Sequence, residues 1–248
     1  MSELLPGINS VAEALKSGRD ISTIYVVKGK VDSRISHILQ MAEEMNIQVR
    51  RMDKANLDRL AGSGTHQGVV AEAESFLYYS LTDILDEAEK RGEQPLVVLL
   101  DGIMDPQNLG AIIRSAECLG AHGVVIPKHG ACEVTPAVVR ASAGAVEHLK
   151  VARVTNLVNA INELKKRGVW IVGSDVQGSD SCFDLVFPES VAIVVGSEGR
   201  GIRRLVRENC DFMVHIPMKG RVNSLNASVS CAVIMAQIAR QRGEAAEV

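Results

Sequence analysis

Aromatic residues are scarce in this chain of 248: one Trp, three Tyr and four Phe, 3% in all. So few rings cannot supply the stacking platforms of an RNA-recognition motif or a single-strand binder. Basic charge is not in excess either, with 27 Lys+Arg against 30 Asp+Glu and a formal net charge of −3. A protein that coats nucleic acid is basic throughout, so this balance excludes one. Taken alone, these two shortages count against any RNA protein. Long apolar runs are missing as well. Leu96–Leu100 is among the longest, far below the ~18–20 residues of a membrane span. The start, MSELLPGINS, has no basic stretch followed by an apolar one, so no secretory signal is expected. The five cysteines (Cys118, Cys132, Cys182, Cys210, Cys231) are scattered, with no C-x-x-C pair and no Cys/His cluster at zinc spacing. They read as reduced, mostly buried thiols of a cytoplasmic protein that holds no metal. What the chain does have is apolar content, 46%, which excludes disorder.

At this length one large or two smaller domains are expected. Short β-branched runs alternate with amphipathic stretches. Ile21–Val27, Ile47–Arg50 and Gly68–Ala73 read as strands, and Ile35, Ile38, Leu39, Ala42 and Met45 repeat on one helix face. Asp53 is placed to cap a short helix through Leu60, closed by a turn at Gly62–Gly64. Residues 76–94 carry five acids against two bases and read as a linker with the first helix of a second domain, capped by Ser80 or Thr82. From residue 95 on, strands fit Pro95–Leu100, Gly123–Ile126, Lys150–Val154, Val169–Gly173, Val191–Val195 and Phe212–Ile216. Helices fit Pro106–Leu119, Pro136–Gly144, Asn156–Arg167, Ile202–Asn209 and Leu225–Arg242. Near-continuous Val/Ile/Leu strands are buried on both faces, so this is an α/β domain with a mainly parallel sheet. The expected division is 1–75, linker 76–94 and 95–248.

Three segments concentrate polar residues at strand-to-helix turns. In Asp101–Ala116 a strand ends in Asp101, Asn108 opens a helix, and Arg114 lies two turns inside it. Six helical residues rotate by about 600°, so Asn108 and Arg114 point roughly 120° apart and flank a cleft rather than stack. The plain alternative is that Asn108 caps the helix and Arg114 pairs with Glu117. In Val194–Leu205 three glycines within six residues (Gly196, Gly199, Gly201) follow a buried strand. They allow close backbone approach to a ligand. Their spacing is neither that of a dinucleotide fold nor that of a P-loop. Glu198 beside them would repel phosphate and suits a cationic or hydroxyl-bearing ligand, unless it merely complements a helix dipole. In Ile216–Ser230 a basic loop leads to Asn223, Ser224, Asn226, Ser228 and Ser230, poor helix formers. There the alternative is an elaborate cap built on Ser224 or Asn226. All three lie at C-terminal ends of parallel strands, where open α/β sheets bind ligands.

These three segments resemble the signature motifs of the SpoU/TrmH-type ribose 2′-O-methyltransferases of the SPOUT superfamily: D-x-x-x-D-P-x-N-L-G-A-x-x-R-S-A at Asp101–Ala116, V-G-x-E-G-x-G-x-R-R-L at Val195–Leu205, and I-P-M-x-G-x-x-x-S-L-N-x-S-V at Ile216–Val229. The resemblance is close over residues 96–242. The first ~75 residues, with Gly7-Ile8-Asn9-Ser10-Val11 and His66-Gln67-Gly68, look like the L30e-like RNA-binding domain of the bacterial 23S rRNA guanosine-2′-O-methyltransferase (RlmB-like) subgroup. The plain alternative for His66-Gln67-Gly68 is a turn leading into a strand. Asn9, Asn223 and Ala227 depart from the usual pattern: the first bears on RNA contacts, the other two leave catalysis intact.

The resemblance implies a deep trefoil knot, a homodimer with its cleft at the subunit interface, and S-adenosylmethionine as cofactor. Backbone groups near Gly196, Ile216 and Leu225 would hold the cofactor, with Ser174 at another strand end. The implied catalytic set is Arg114, Asn108, Glu198, Ser224 and Asn226. RNA contacts would come from His66, Gln67, Arg200, Arg203 and Arg221. A guanosine of 23S rRNA is the expected target. A tRNA ribose methylase, a non-catalytic ribosome-assembly protein and, distantly, a nicotinamide-dependent dehydrogenase are the alternatives. This reverses the first inference from composition, because −3 is an average. Residues 200–221 hold six bases against Glu208 and Asp211. A folded RNA met by shape and phosphate needs a local basic rim and no aromatic stack.

Overall fold

Gly7 makes the first reversal of the chain, turning a strand into a helix at φ +104°, a conformation glycine adopts freely. The computed structural model describes residues 2–29, 32–62, 65–222 and 224–243, so Gly64 of the expected turn and Asn223 lie outside the described residues. The described chain divides into two units, one of residues 1–77 with 134–148, the other of 78–133 with 149–248.

The first unit runs β1 (Ser2–Pro6), α1 (Ile8–Lys16), β2 (Ile21–Val27), α2 (Ser33–Glu44), β3 (Gln48–Met52), α3 (Lys54–Ala61) and β4 (Val69–Glu74). Its sheet has the order β1-β4-β2-β3, with β4 antiparallel to β1 and β2, and β3 parallel to β2. The expected face of α2 buries Ile35, Ile38 and Ala42, but Met45 falls past the helix end and is exposed. Asp53 precedes α3 yet makes no capping bond; its carboxylate pairs with Lys28 instead. Nothing in the sequence reading assigned β1 and α1, although α1 buries Ile8, Val11, Ala14 and Leu15 on one face.

The chain continues with α4 (Leu81–Arg91), β5 (Leu96–Asp101), α5 (Pro106–Cys118), β6 (Gly123–Pro127), α6 (Pro136–Ala141), β7 (Lys150–Val154), α7 (Leu157–Lys166), β8 (Trp170–Ser174), β9 (Asp180–Ser181), β10 (Val191–Gly196), α8 (Arg204–Arg207), β11 (Phe212–His215) and α9 (Ala227–Gln241), all but α6 in the second unit. The sheet is wholly parallel, in the order β7-β6-β5-β10-β8-β11-β9. All six residues of β5 are buried, as the two-faced apolar runs required. The supposed linker is mostly α4. A Ser80/Asp83 capping box starts this helix, and Leu81, Ile84 and Leu85 join the unit's core. Two expected helices are shorter in the structure. Residues 136–144 give only α6 before a turn of 3-10 helix at Ala145–Glu147, and 202–209 give the single turn of α8.

The units also differ from the expected 95–248 block. Val134–His148, including α6, packs with the first unit. Arg19 is the bolt. It donates to Glu147 at 2.6 Å, to Glu3, and to the Glu74 carbonyl, all within the first unit. His148 adds a contact to Glu13 at 2.8 Å, and Gly144 is so close to Glu13 that a Cβ there would collide with it. Spacing along the sequence carries no sign of this exchange, because it depends on ion pairs between residues some 130 positions apart.

Buried thiols are fewer than expected. Cys182 and Cys231 are buried and Cys118 is exposed. Burial pushes the Cys231 thiol, and mainly burial the Cys210 thiol, up to about 12. Among the described residues no group of His, Cys, Asp or Glu is placed to hold a metal ion, and no helix is long and apolar enough to cross a membrane.

Two predictions follow from these contacts. Burial outweighs the pull of Arg19 and raises the Glu147 carboxyl above its ordinary range. Arg19→Ala would leave that carboxylate without its partner and destabilise the first unit by about 3–5 kcal/mol in denaturant unfolding; a loss under ~1 kcal/mol refutes the bolt. His122 is buried, accepts from the Leu96 amide through Nδ1, and meets Glu93 through Nε2. Burial, the largest influence, lowers its pKa below the ordinary 6.5. The unfolded chain therefore takes up this proton first as pH falls. The stability is intact above 6.5 and drains away below it. Thermal unfolding of His122→Asn across that range is expected to show a flatter pH profile than the unsubstituted protein.

Candidate functional site

Strand register lines up four chain ends. Gly196 ends β10 opposite Asp101 of β5, and Ser174 ends β8 opposite Val195 of β10 and Val214 of β11. Strand order reverses here: the chain runs outward from β5 through β6 to β7, then returns to build the other half of the sheet. Such a switch point opens a crevice at the carboxyl ends. A cavity of about 480 Å³ lies at the carboxyl ends of β8, β10 and β11, within the range of small-molecule sites. Ser174, Gly196, Ile216 and Leu225, the four residues expected at the cofactor, all line it, together with Glu198, Arg200 and Ser224.

Glycine at 196 is obligatory. A Cβ there would lie 2.1 Å from the Gly201 carbonyl carbon, because the loop folds back on itself in a Ser197–Gly201 bridge. Gly199 faces open space. The loop is fastened by Asp101, whose side chain is fully buried. Arg203 gives that carboxylate its backbone N–H at 2.7 Å and its Nε at 2.6 Å. Two charge-assisted bonds offset the desolvation of the acid. They also fix Arg203 at the start of α8, so helix forms only after it. Arg203, expected to contact RNA, commits its Nε to Asp101 while its side chain stays largely exposed.

Beside the cavity, three expected catalytic residues meet. Asp105, not Asn108, caps α5: its carboxylate accepts from the Gln107 and Asn108 amides, with Pro106 at the first helical position. The Asn108 side chain is thereby free to donate to Glu198 at 3.1 Å. Asn226 caps α9 with Oδ1, accepting from the Ser228 and Val229 amides. Its Nδ2 donates to Asn108 Oδ1 at 2.8 Å and to Glu198 Oε1 at 2.5 Å. Asn226 therefore caps α9 with one end of its amide and joins Asn108 and Glu198 with the other. Every donor to Glu198 reaches Oε1; Oε2 has no hydrogen-bond partner among the described residues.

Arg114 is exposed and makes no hydrogen bond or ion pair with any described residue, so the alternative pairing with Glu117 is not made. Of the six bases in 200–221, Arg203, Arg204 and Arg207 are held by Asp101, Glu208 and Asp175. Arg200, Lys219 and Arg221 are exposed, with no such partner among the described residues.

In the first unit, His66 is buried with both ring nitrogens used. Nδ1 accepts from the Gly68 amide at 2.9 Å, which puts the proton on Nε2 facing Asp58 at 2.7 Å. Gln67, at φ +52°, accepts from the Ile8 amide through Oε1 and so caps α1, whose own cap position is Gly7. Both residues shape the turn before β4; the buried His66 has no ring nitrogen left for RNA, which corrects its expected contact, while Gln67 stays exposed. The sequence reading missed Asp175 and Arg207, both on the cavity wall. A carboxylate directly after a strand-end serine was the available signal.

A parallel sheet with a glycine-lined crevice at the carboxyl ends of its strands defines a ligand-binding α/β domain. The model of the SpoU rRNA methylase family matches residues 95–236, and that of the RNA 2′-O ribose methyltransferase substrate-binding domain matches 4–79. The chain belongs to this family. Among its relatives is YacO of Bacillus subtilis, named as a TrmH-family tRNA/rRNA methyltransferase, 41% identical over 241 residues and covered over 97% of this chain and 96% of that one. A tRNA/rRNA methyltransferase of Mycolicibacterium vanbaalenii is 41% identical over 245 residues, 98% of this chain and 78% of the relative. The crystal structure of the SpoU methyltransferase AviRb from Streptomyces viridochromogenes in complex with AdoMet has a TM-score of 0.81 at 28% identity, covering 98% of this chain and 91% of that one.

Gly196→Ala is expected to abolish binding at the cavity while the first unit stays folded, because the added Cβ collides with backbone rather than with a movable side chain. Calorimetric titration with S-adenosylmethionine checks it, and an undiminished affinity would count against the site.

Proposed function

We propose that the chain transfers a methyl group from S-adenosylmethionine to a ribose 2′-hydroxyl of structured RNA, with a guanosine of 23S rRNA as the target. One observation carries the reading: the Asn108–Glu198–Asn226 network sits at the cavity edge, and the same helix α5 presents an uncommitted Arg114. The cavity suits the cofactor. It has a glycine loop for close approach, apolar Ile216 and Leu225, and carboxylates in place of a phosphate cradle. Backbone groups near Gly196, Ile216 and Leu225 would hold it, with Ser174 beside them. Bound there, S-adenosylmethionine supplies an electrophilic methyl group.

The remaining work falls to this chain. Arg114 acts as a cation. It anchors the target phosphate and stabilises negative charge developing on the 2′-oxygen. The hydroxyl proton leaves to a phosphate oxygen or water. Asn108 and Asn226 hold Glu198 in one orientation, and its free Oε2 orients the ribose hydroxyl or Arg114. Ser224 fixes the loop before α9. Most of the rate then comes from positioning. Arg200 and Arg221, with Lys219, meet RNA phosphates.

Three features support finer parts of the reading. Gly196 against Gly201 and Gly178 against Val214 are backbone approaches too tight for a Cβ, the close packing a trefoil knot through the second and third motifs would use. Exposed Met104, Leu205, Val222 and Val229 lie in the three motif segments, and a second copy of the chain would cover them in a homodimer. The rRNA target rests on coverage. A tRNA-modifying TrmH/SpoU enzyme of A. aeolicus and an enzyme of C/U34 methylation on tRNA cover 66% and 61% of this chain, so about a third of the chain is free to serve a different RNA target.

Arg114→Ala is expected to eliminate methyl transfer, at least 100-fold by the scale of a lost transition-state contact, while cofactor affinity stays within about threefold. Full activity of this variant on cognate rRNA overturns the assignment. Mapping 2′-O-methylation in rRNA and tRNA of a deletion strain identifies the target.

A further inference from the structure

The loop after β10 is slung between the two strands that flank β10, and each attachment is an arginine of α8 or its cap. Arg203 reaches the end of β5 through Asp101. Arg207, one helical turn later, reaches the residue after β8 through Asp175 at 2.7 Å. The two clamps differ in surroundings. Asp101 is buried beneath the loop, whereas Asp175 and Arg207 both line the cavity.

Asp175 is also held from its own side. Its amide donates to the Val214 carbonyl at 2.9 Å, its carbonyl accepts from Gly178 at 2.9 Å, and its Oδ1 accepts from the Gln177 amide at 2.8 Å. Its Oδ2 takes Arg207, whose other nitrogen reaches the Gln177 carbonyl at 3.4 Å. Asp175–Gln177 form one wall of the cavity and Gly196–Ile202 form another. Among the described residues, these Arg207 contacts are the hydrogen bonds that join the turn after β8 to the segment 196–207. The walls come close there, since a Cβ on Gly201 would lie 3.5 Å from Asp175 Oδ2.

We propose that Asp175 and Arg207 are a positioning pair that fixes the separation of two cavity walls, so that cofactor affinity depends on their ion pair and the methyl-transfer step does not. The proposal rests on the reading of this cavity as the cofactor site. Neither residue belongs to the Asn108–Glu198–Asn226 network or contacts it. Breaking the pair loosens the walls and leaves the transfer machinery in place. A lysine at 207 keeps the charge that Asp175 needs, because the contact is single rather than a two-pronged fork.

The experiment compares the unsubstituted protein with Asp175→Asn, Arg207→Gln and Arg207→Lys, all full length. Calorimetric titrations use S-adenosylmethionine and S-adenosylhomocysteine, and steady-state rates use cognate RNA. Asp175→Asn and Arg207→Gln are expected to weaken both ligands about tenfold and raise KM for the cofactor, with kcat at saturation within about threefold and Arg207→Lys near the unsubstituted values. Undiminished affinity in Asp175→Asn and Arg207→Gln overturns the proposal. So does a fall in kcat that matches the loss of affinity, or an Arg207→Lys protein as weak as Arg207→Gln. Hydrogen exchange of the unsubstituted protein with and without S-adenosylmethionine separates the two readings. Protection that spares 174–178, 196–202 and 216–225 alike refutes the cavity assignment; protection there with unaltered variants refutes only the pair.

Discussion

A carboxylate sealed from water must receive its hydrogen bonds from the protein, and Asp101 receives them from Arg203, 102 positions later in the chain. That demand organises the site. To reach Asp101 the chain must turn back immediately after β10, and it does so at Gly196, where any side chain would strike Gly201. The turn carries Glu198 to the start of α5, where Asn108 waits, and to the cap of α9, where Asn226 waits. Three segments remote in sequence are thus joined around one acid at the bottom and another at the rim. Removing the lower contact would free the loop that carries the upper one.

Local rules read the second unit well because its elements are locally determined. Its parallel strands are apolar runs, and its helices begin at Asp105, Asn156 and Asn226, each of which bonds the amides that follow it. The motif residues Asn108, Glu198 and Asn226 meet as their strand-end positions suggested. Where the expectations failed, distant contacts decided. The start of α8 is set by Asp101, so a stretch with helical residues yields one turn. Val134–His148 follows Arg19 and Glu13 into the first unit, against its place in the sequence. His66 has the side chain of a surface contact, but the turn before β4 needed an acceptor for the Gly68 amide and used the ring. Asn108 has the side chain of a cap, but Asp105, followed by Pro106, takes that place.

Two asparagines illustrate how one residue serves fold and site together. An amide side chain has an acceptor end and a donor end. Asn226 spends the acceptor on its own helix and the donor on Asn108 and Glu198. Aspartate could cap as well but would bring a second negative charge to Glu198, and serine would cap without reaching it. The residue choice is therefore narrower than helix capping alone demands.

Net charge says little here because the arginines divide into two populations. Arg19, Arg203 and Arg207 are tied to carboxylates and hold segments together. Arg114, Arg200 and Arg221 are exposed and untied among the described residues. A guanidinium already engaged by a carboxylate gains little from a phosphate, since it must first give up the bonds it has. The uncommitted ones pay no such penalty. Counting all six bases of 200–221 as a phosphate-binding rim overstates it by those that Asp101, Glu208 and Asp175 have taken, and the correction comes from partners, two of which lie outside that stretch. A chain of formal charge −3 can present cations to RNA because not every arginine is tied to a carboxylate, and which ones remain free is decided by the fold.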